Sequence, residues 1–408
     1  MLILIAFAGC DKKENDSNPV PVQVFTLSVG NKAAYVDGSL ENWLIVHDEE
    51  GALVGYKRYD KGDEVQIETD KPLPGSTIAV TLLNYYNDGT ERWGIESYLQ
   101  IAIGEKFTLS NSLSSTSPDD DAGLMLGGFT VNVNGVGSID ELELTNKFGL
   151  SCGGGGSGSG IRINCTVREN AQKELLILSD ANVGDVRYKM FENIKSNDVY
   201  NLSYADMSAF DKTYYFTFPS SDNVVLQVTG KEPDQTIGSG YLTNFHFNGD
   251  QHSQMPAGYL NSLTHYSTYF SASYQGYSYT YQNEGSIPEG EIQWPSPSDY
   301  NQSAKFVNNF VSSTAKPFNY RQSNWMYQSS ESTPLKRVLW SVFGTSEKHA
   351  FSELPAEIVA KYPLLVFDGM TFTGTSFVSG TLSYSDIIQN KFGTPDPKPS
   401  TSVAITVW

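Results

Sequence analysis

The chain has 408 residues, room for two or three domains of ordinary size. Its 27 Lys and Arg against 46 Asp and Glu leave a formal charge of −19, a field that repels phosphate backbones and excludes nucleic acid as an expected partner. With 39% hydrophobic and 12% aromatic residues the chain is no disordered polymer, and its many Gly, Tyr and Phe in short runs predict an all-β protein.

Met1 to Cys10 reads MLILIAFAGC: an apolar run, the small residues Ala8 and Gly9, then a cysteine. A signal segment places small residues there because the cleaving peptidase has a tight pocket. Phe7-Ala8-Gly9-Cys10 resembles the lipobox of bacterial lipoproteins, with Phe7 standing where Leu is usual. The resemblance implies that Cys10 is lipidated and becomes the mature N-terminus, anchored to the membrane by more than one acyl chain. Asp11 to Pro19 is polar and aperiodic and reads as a tether, so residues 1–19 form signal segment and tether. The charged run after Cys10 is similar to the export signals of Bacteroidota surface lipoproteins. Nowhere is there an apolar run of the ~18 residues that a transmembrane helix needs.

Residues 20–113 and 127–231 read as two β-sandwich modules joined by an acidic linker, 114–126. They carry a weak internal repeat. Trp43-Leu44-Ile45-Val46-His47-Asp48 matches Leu175-Leu176-Ile177-Leu178-Ser179-Asp180, Tyr56 to Asp60 matches Tyr188 to Glu192, and Thr77 to Leu82 matches Thr213 to Phe218. Short strands with turn signals about every ten residues are the pattern of a sandwich. The two copies look like immunoglobulin-like or carboxypeptidase-regulatory-like modules of bacterial surface lipoproteins. Cys152 and Cys165 flank a Gly-rich loop, and in an oxidising envelope they are expected to form a disulfide.

Residues 234–408 read as a larger β-rich domain. Asn248-Gly249 is a type I′ hairpin signal that would lay Phe245 to Phe247 beside Asp250 to His252. Ser352 to Tyr362 is a helix candidate, with Pro355 in its first turn and Pro363 stopping it. Val403 to Trp408 reads as a last strand.

Searches for chemistry return little. The chain has no Gly-x-Ser-x-Gly elbow, no His-Glu-x-x-His helix and no phosphate loop, so no catalytic residue, metal or cofactor is assigned. His246, His252 and His265 cluster in sequence near Asp250 and read as hydrogen-bonding histidines rather than a metal site. Asp119 to Asp121 reads as solvated linker.

The stretch Tyr259 to Tyr281 holds eight aromatics in 23 residues, where the chain's 12% average would give about three. Tyr277, Tyr279 and Tyr281 alternate with Ser278 and Thr280, so their rings share one face of a strand. Such a face either stacks on sugar rings, with Trp294 adding a ring and Glu289, Glu291 and Asp299 supplying carboxylates, or covers a core. The leading expectation is a membrane-anchored, cell-surface lipoprotein that binds a glycan or a protein partner without catalysis. A structural component of a surface assembly and a carbohydrate-active enzyme are the alternatives.

Overall fold

The computed structural model describes residues 21–110, 122–137, 139–152, 154–155, 160–180, 185–219, 221–233, 235, 240–249, 254–274, 276–289, 294, 296–330, 334–351, 354–393 and 399–408. The lipobox with Cys10, the tether and Asp119 to Asp121 lie outside them.

The first segment forms β1 (Val22–Val29), β2 (Glu41–Asp48), β3 (Leu53–Arg58), β4 (Glu64–Thr69), β5 (Thr77–Asn87), β6 (Thr90–Ala102) and β7 (Lys106–Leu109). The second forms β8 (Met125–Asn134), β9 (Ile139–Asn146), β10 (Ser151–Cys152), β11 (Gly154–Gly155), β12 (Gly160–Arg168), β13 (Glu174–Asp180), β14 (Asp185–Phe191), β15 (Val199–Ser203), β16 (Ser208–Ala209), β17 (Lys212–Thr217) and β18 (Ser221–Lys231). Then come β19 (Tyr241–Gly249), β20 (Gln254–Tyr259), β21 (His265–Tyr274), β22 (Tyr277–Glu284), β23 (Tyr300–Phe306), β24 (Asn309–Thr314), β25 (Tyr320–Gln328), β26 (Leu335–Gly344), β27 (Lys348–Ala350), β28 (Thr371–Gly380) and β29 (Ser400–Val407). Two short α-helices, α1 (Ala356–Lys361) and α2 (Tyr384–Phe392), and four single-turn 3-10 helices complete the described elements. The protein is all-β, built from sheets packed face to face.

A twelve-stranded sheet organises the molecule, in the order β19-β18-β21-β22-β29-β28-β25-β26-β6-β5-β2-β3. Residues 20–113 and 234–408 meet in it, because β6 pairs in parallel with β26 from Thr90↔Leu335 to Tyr98↔Phe343. The sheet β4-β1-β7 covers one face of β2, β5 and β6, where Leu44, Val46, Val80 and Leu82 pack against Phe25 and Leu27. The other face is covered by β23-β24-β27 and α1, against which Trp43, Ile45, Leu83 and Ile95 pack. This explains the unbroken run Trp43-Leu44-Ile45-Val46. A strand buried on both sides is apolar at every position rather than at alternate ones.

The same holds in the second segment. There β10-β9-β13-β14-β16 packs on β11-β12-β8-β15 to form a sandwich. Leu176 and Leu178 of β13 face its interior, while Leu175 and Ile177 face a further core shared with β18, β21 and β22. The repeat detected in sequence is therefore two hairpins, β2–β3 and β13–β14, whose first strands are both covered twice. Its third match does not extend the likeness: β5 lies beside β2, but β17 pairs with β20 and not with β13.

Three local expectations are corrected or refined. β19 runs on through Asn248 and Gly249 and pairs with β18, while β20 pairs with β17, so no tight hairpin forms at Asn248-Gly249. Here the ladder of backbone partners offered by β18 outweighs the local turn preference. Pro355 and Pro363 do bound a helix, with Pro355 at its N-cap. The chain end forms β29, which lies inside the sheet between β22 and β28.

Candidate functional site

The tyrosine row is the first place to look, and its rings point inward. Tyr277, Tyr279 and Tyr281 are only 3%, 2% and 8% exposed, and they pack in a core with Phe216, Leu226, Phe270 and Met255. The stacking role proposed for them on alternation is therefore corrected. Period-2 patterning shows that the rings share a face, but β17 and β20 lie over that face and leave no room for a ligand. Burial raises the Tyr281 hydroxyl to about 12, with the nearby Tyr214 adding to the shift. Tyr259 and Tyr266 in the same core satisfy their hydroxyls internally, on Thr268 at 3.1 Å and on the Leu260 carbonyl at 2.8 Å.

Trp294 behaves differently. Its ring lies 4.8 Å from Tyr279 and meets Phe270 edge-on at 6.4 Å, and its indole N–H donates to the Thr217 carbonyl at 2.7 Å. Trp294 thus seals the edge of the tyrosine core with one side while its other side lines an open cleft of about 330 Å³. The cleft floor continues the tyrosine face onto neighbouring strands: Tyr279 is opposite Ile405, and Ile405 is opposite Phe377. Tyr300 lies 5.3 Å from Phe377 with the planes 36° apart, and Phe318 meets Phe377 edge-on at 5.4 Å. Lys316 stands at the rim, 3.8 Å from Asp299.

The cleft exists because two covering layers leave a gap. On one side β17 and β20 cover the sheet; on the other β23, β24 and β27 do so. Between them Phe377, Val403 and Ile405 lie beneath the opening. Burial raises the Tyr300 hydroxyl to about 12, with the Asp299 carboxylate adding to the shift, so it remains a neutral donor and acceptor. The site therefore offers flat apolar rings, one phenolic hydroxyl, and one cation paired with one carboxylate. That chemistry suits a ligand with an apolar face and polar edges.

The carboxylates considered beside Trp294 do not assemble around it. Asp299 pairs with Lys316, Glu289 is exposed, and Glu291 lies outside the described residues. His252, Asp250 and the His246 side chain also lie outside them. His265 is exposed, 3.7 Å from Glu284. Among the described residues no three His, Cys, Asp or Glu side chains stand close enough to hold a metal ion. Cys152 of β10 and Cys165 of β12 are bonded, with Cα atoms 5.4 Å apart, and so join the two sheets of the second segment's sandwich.

Sequence reading missed Tyr300, Lys316, Phe318 and Phe377, which stand on three separate segments. Lys316-Pro317-Phe318 carries a weak signal, an aromatic next to a turn-forming Pro between two strands.

Among the described residues no helix is long and apolar enough to cross a membrane. No protein-family model matches the chain, and no curated protein matches it. One solved structure with some likeness is a Ca2+-stabilised adhesin that helps an Antarctic bacterium reach out and bind ice. It is 8% identical, with 95% of this chain and 99% of that chain covered, at a TM-score of 0.13. A likeness that slight carries no argument about this protein.

Proposed function

We propose that this chain is a lipoprotein held on the outer face of a bacterial cell envelope through Cys10, and that it binds a glycan without catalysis. The observation that supports the binding role is the cleft bounded by Trp294, Tyr300, Phe318 and Phe377. A pyranose ring has apolar faces and hydroxyl edges. Its faces suit the rings of Tyr300, Phe318 and Phe377, and its edges suit the Tyr300 hydroxyl, Lys316 and Asp299. At 330 Å³ the opening takes one or two sugar units rather than a folded partner. The anchor rests on Phe7-Ala8-Gly9-Cys10 and the polar tether that follows.

The test is oligosaccharide binding by the full chain in detergent, measured on a glycan array and then by calorimetry. A bound glycan whose affinity falls at least tenfold in Phe318→Ala, with the fold intact by circular dichroism, supports the reading. No bound glycan, or equal binding by Phe318→Ala, contradicts it. The anchor is tested separately: Cys10→Ala should move the protein from the membrane to the soluble fraction.

A further inference from the structure

The opposite face of the twelve-stranded sheet has a chemistry of its own. Residues paired directly across strands share a face, so Ser273, Ser278, Thr406, Ser376 and Gln322 form one row across β21, β22, β29, β28 and β25. Ser271, Thr280 and Ala404 form the next, which ends at the buried Val378. Tyr269 and Gln282 continue the same face one step further along the strands. None of these positions is ionisable at neutral pH, in a chain with 46 acidic residues. These are the alternate positions of the strands that bury the tyrosine row.

The face is ordered by its own hydrogen bonds. Ser376 and Thr406 share a hydrogen bond of 2.7 Å, Ser271 and Thr280 one of 3.4 Å, and the Gln322 amide donates to Asn324 at 3.1 Å. A hydroxyl has one donor and two acceptor sites, so each paired hydroxyl keeps capacity for a ligand. Within a row neighbouring positions are ~4.8 Å apart, and successive rows, two residues along each strand, are roughly 6.6 Å apart. Toward β26 the open surface ends at α2, where Tyr384 packs 6.3 Å from Tyr320. Along the strands it ends at His265 and Glu284, 3.7 Å apart.

The geometry points to a neutral polysaccharide chain laid flat across this face, a docking surface separate from the cleft and on the other side of the sheet. The lack of charge selects the occupant. A charged partner meets no counter-charge here, and a second copy brings −19 against −19 with nothing on the face to offset it. A protein partner is held mainly by aromatic or arginine anchors seated in pockets, and a flat hydroxyl surface provides none. A neutral polysaccharide carries hydroxyls along its whole length, each both donor and acceptor, matching those of the face. Because the short side chains are already cross-bonded, little rotamer entropy remains to be lost on binding.

Co-sedimentation of the full chain, in detergent, with insoluble cellulose and with chitin tests this surface, beside soluble alginate as a polyanion. The quadruple variant Ser278→Ala, Thr280→Val, Ser376→Ala and Thr406→Val removes the hydroxyls and keeps strand-forming shapes. The parent should be retained on at least one neutral polymer and the variant at least tenfold less. If that variant does not fold, Thr280→Lys serves in its place with the same expected loss. Equal retention of parent and variant overturns the inference, as does no retention on either neutral polymer. A concentration-dependent dimer of the parent that the quadruple variant abolishes overturns it in favour of a second copy. Phe318→Ala separates the two sites: it should lose oligosaccharide binding and keep polymer retention. Retention lost in Phe318→Ala but not in the face variant overturns this inference and leaves the cleft standing.

Discussion

Tyr279 and Trp294 lie 4.8 Å apart, and between them runs the boundary between core and cleft. Tyr279 is buried behind the indole, and the far side of the indole lines the opening. The tyrosine supports the wall of the cleft without lining it.

Substitution should separate these roles. Tyr279→Ala removes a buried ring and is expected to cost about 3–5 kcal/mol of stability, the range for deleting a core aromatic. Phe318→Ala, at the cleft, should cost less than about 1.5 kcal/mol and act on binding. Urea unfolding of both variants checks the contrast; equal losses would place Phe318 in the core.

A buried cation forms the second testable feature. Arg321 is fully buried beneath β23-β24-β27, and its guanidinium donates to the Ser346 carbonyl, to Ser323 at 2.8 Å and to Nδ1 of His349 at 2.8 Å. His349 in turn donates from Nε2 to the Val307 carbonyl at 2.9 Å, which assigns the neutral tautomer. Burial, together with the Arg321 charge, lowers the imidazole to about 3. The unfolded chain takes up this proton near 6.5 and the folded chain does not. Stability from this group is thus complete above pH 6.5 and falls as pH drops towards 3, by an amount on the order of 1–4 kcal/mol. Unfolding of the parent and of His349→Gln between pH 7 and 4 should show the steeper loss in the parent.

Glu174 has the reverse dependence. Its side chain is fully buried at the start of β13, with Asn146 Nδ2 donating to one oxygen at 3.3 Å and no hydrogen-bond partner for the other among the described residues. Burial raises its carboxyl to about 8, so it is protonated in the folded protein at neutral pH. A raised folded value gives stability that is complete below the unfolded value, near 4.5, and lost as pH rises through 8. Glu174→Gln should therefore gain on the parent as pH rises from 6 to 9, by about 1–3 kcal/mol. An unchanged difference across that range would mean that the carboxyl is already ionised.

The bond between Cys152 and Cys165 ties two sheets together across a short loop. Cys165→Ser should cost roughly 2–3 kcal/mol, by releasing that loop in the unfolded chain. The loss should appear in hydrogen exchange as weaker protection of β12 and β8, whose backbones pair from Gly160↔Asn134 onward.

Much of the fold was legible where the rules are local. Pro355 and Pro363 marked α1, and the alternating chain end marked β29. The second helix carried a signal that went unread: Ser383 and Asp386 form a capping box ahead of Ile387 and Ile388. What could not be read depends on distant segments. Nothing in Thr90–Ala102 specifies that Leu335–Gly344 will pair with it in parallel. Nor does alternation say which face of Tyr277–Glu284 is inside; that depended on β17 and β20 covering the tyrosines and leaving the hydroxyls open. The cleft was hidden for the same reason, since its rings meet only after the whole sheet has assembled.

The most direct test of the binding account is hydroxyl-radical footprinting of the full chain with and without the tightest glycan found on the array. The account predicts protection of Tyr300 and Phe318 in the cleft, and no change at the already buried Tyr277 and Tyr281. Bound glycan that leaves Tyr300 and Phe318 as reactive as before would contradict it.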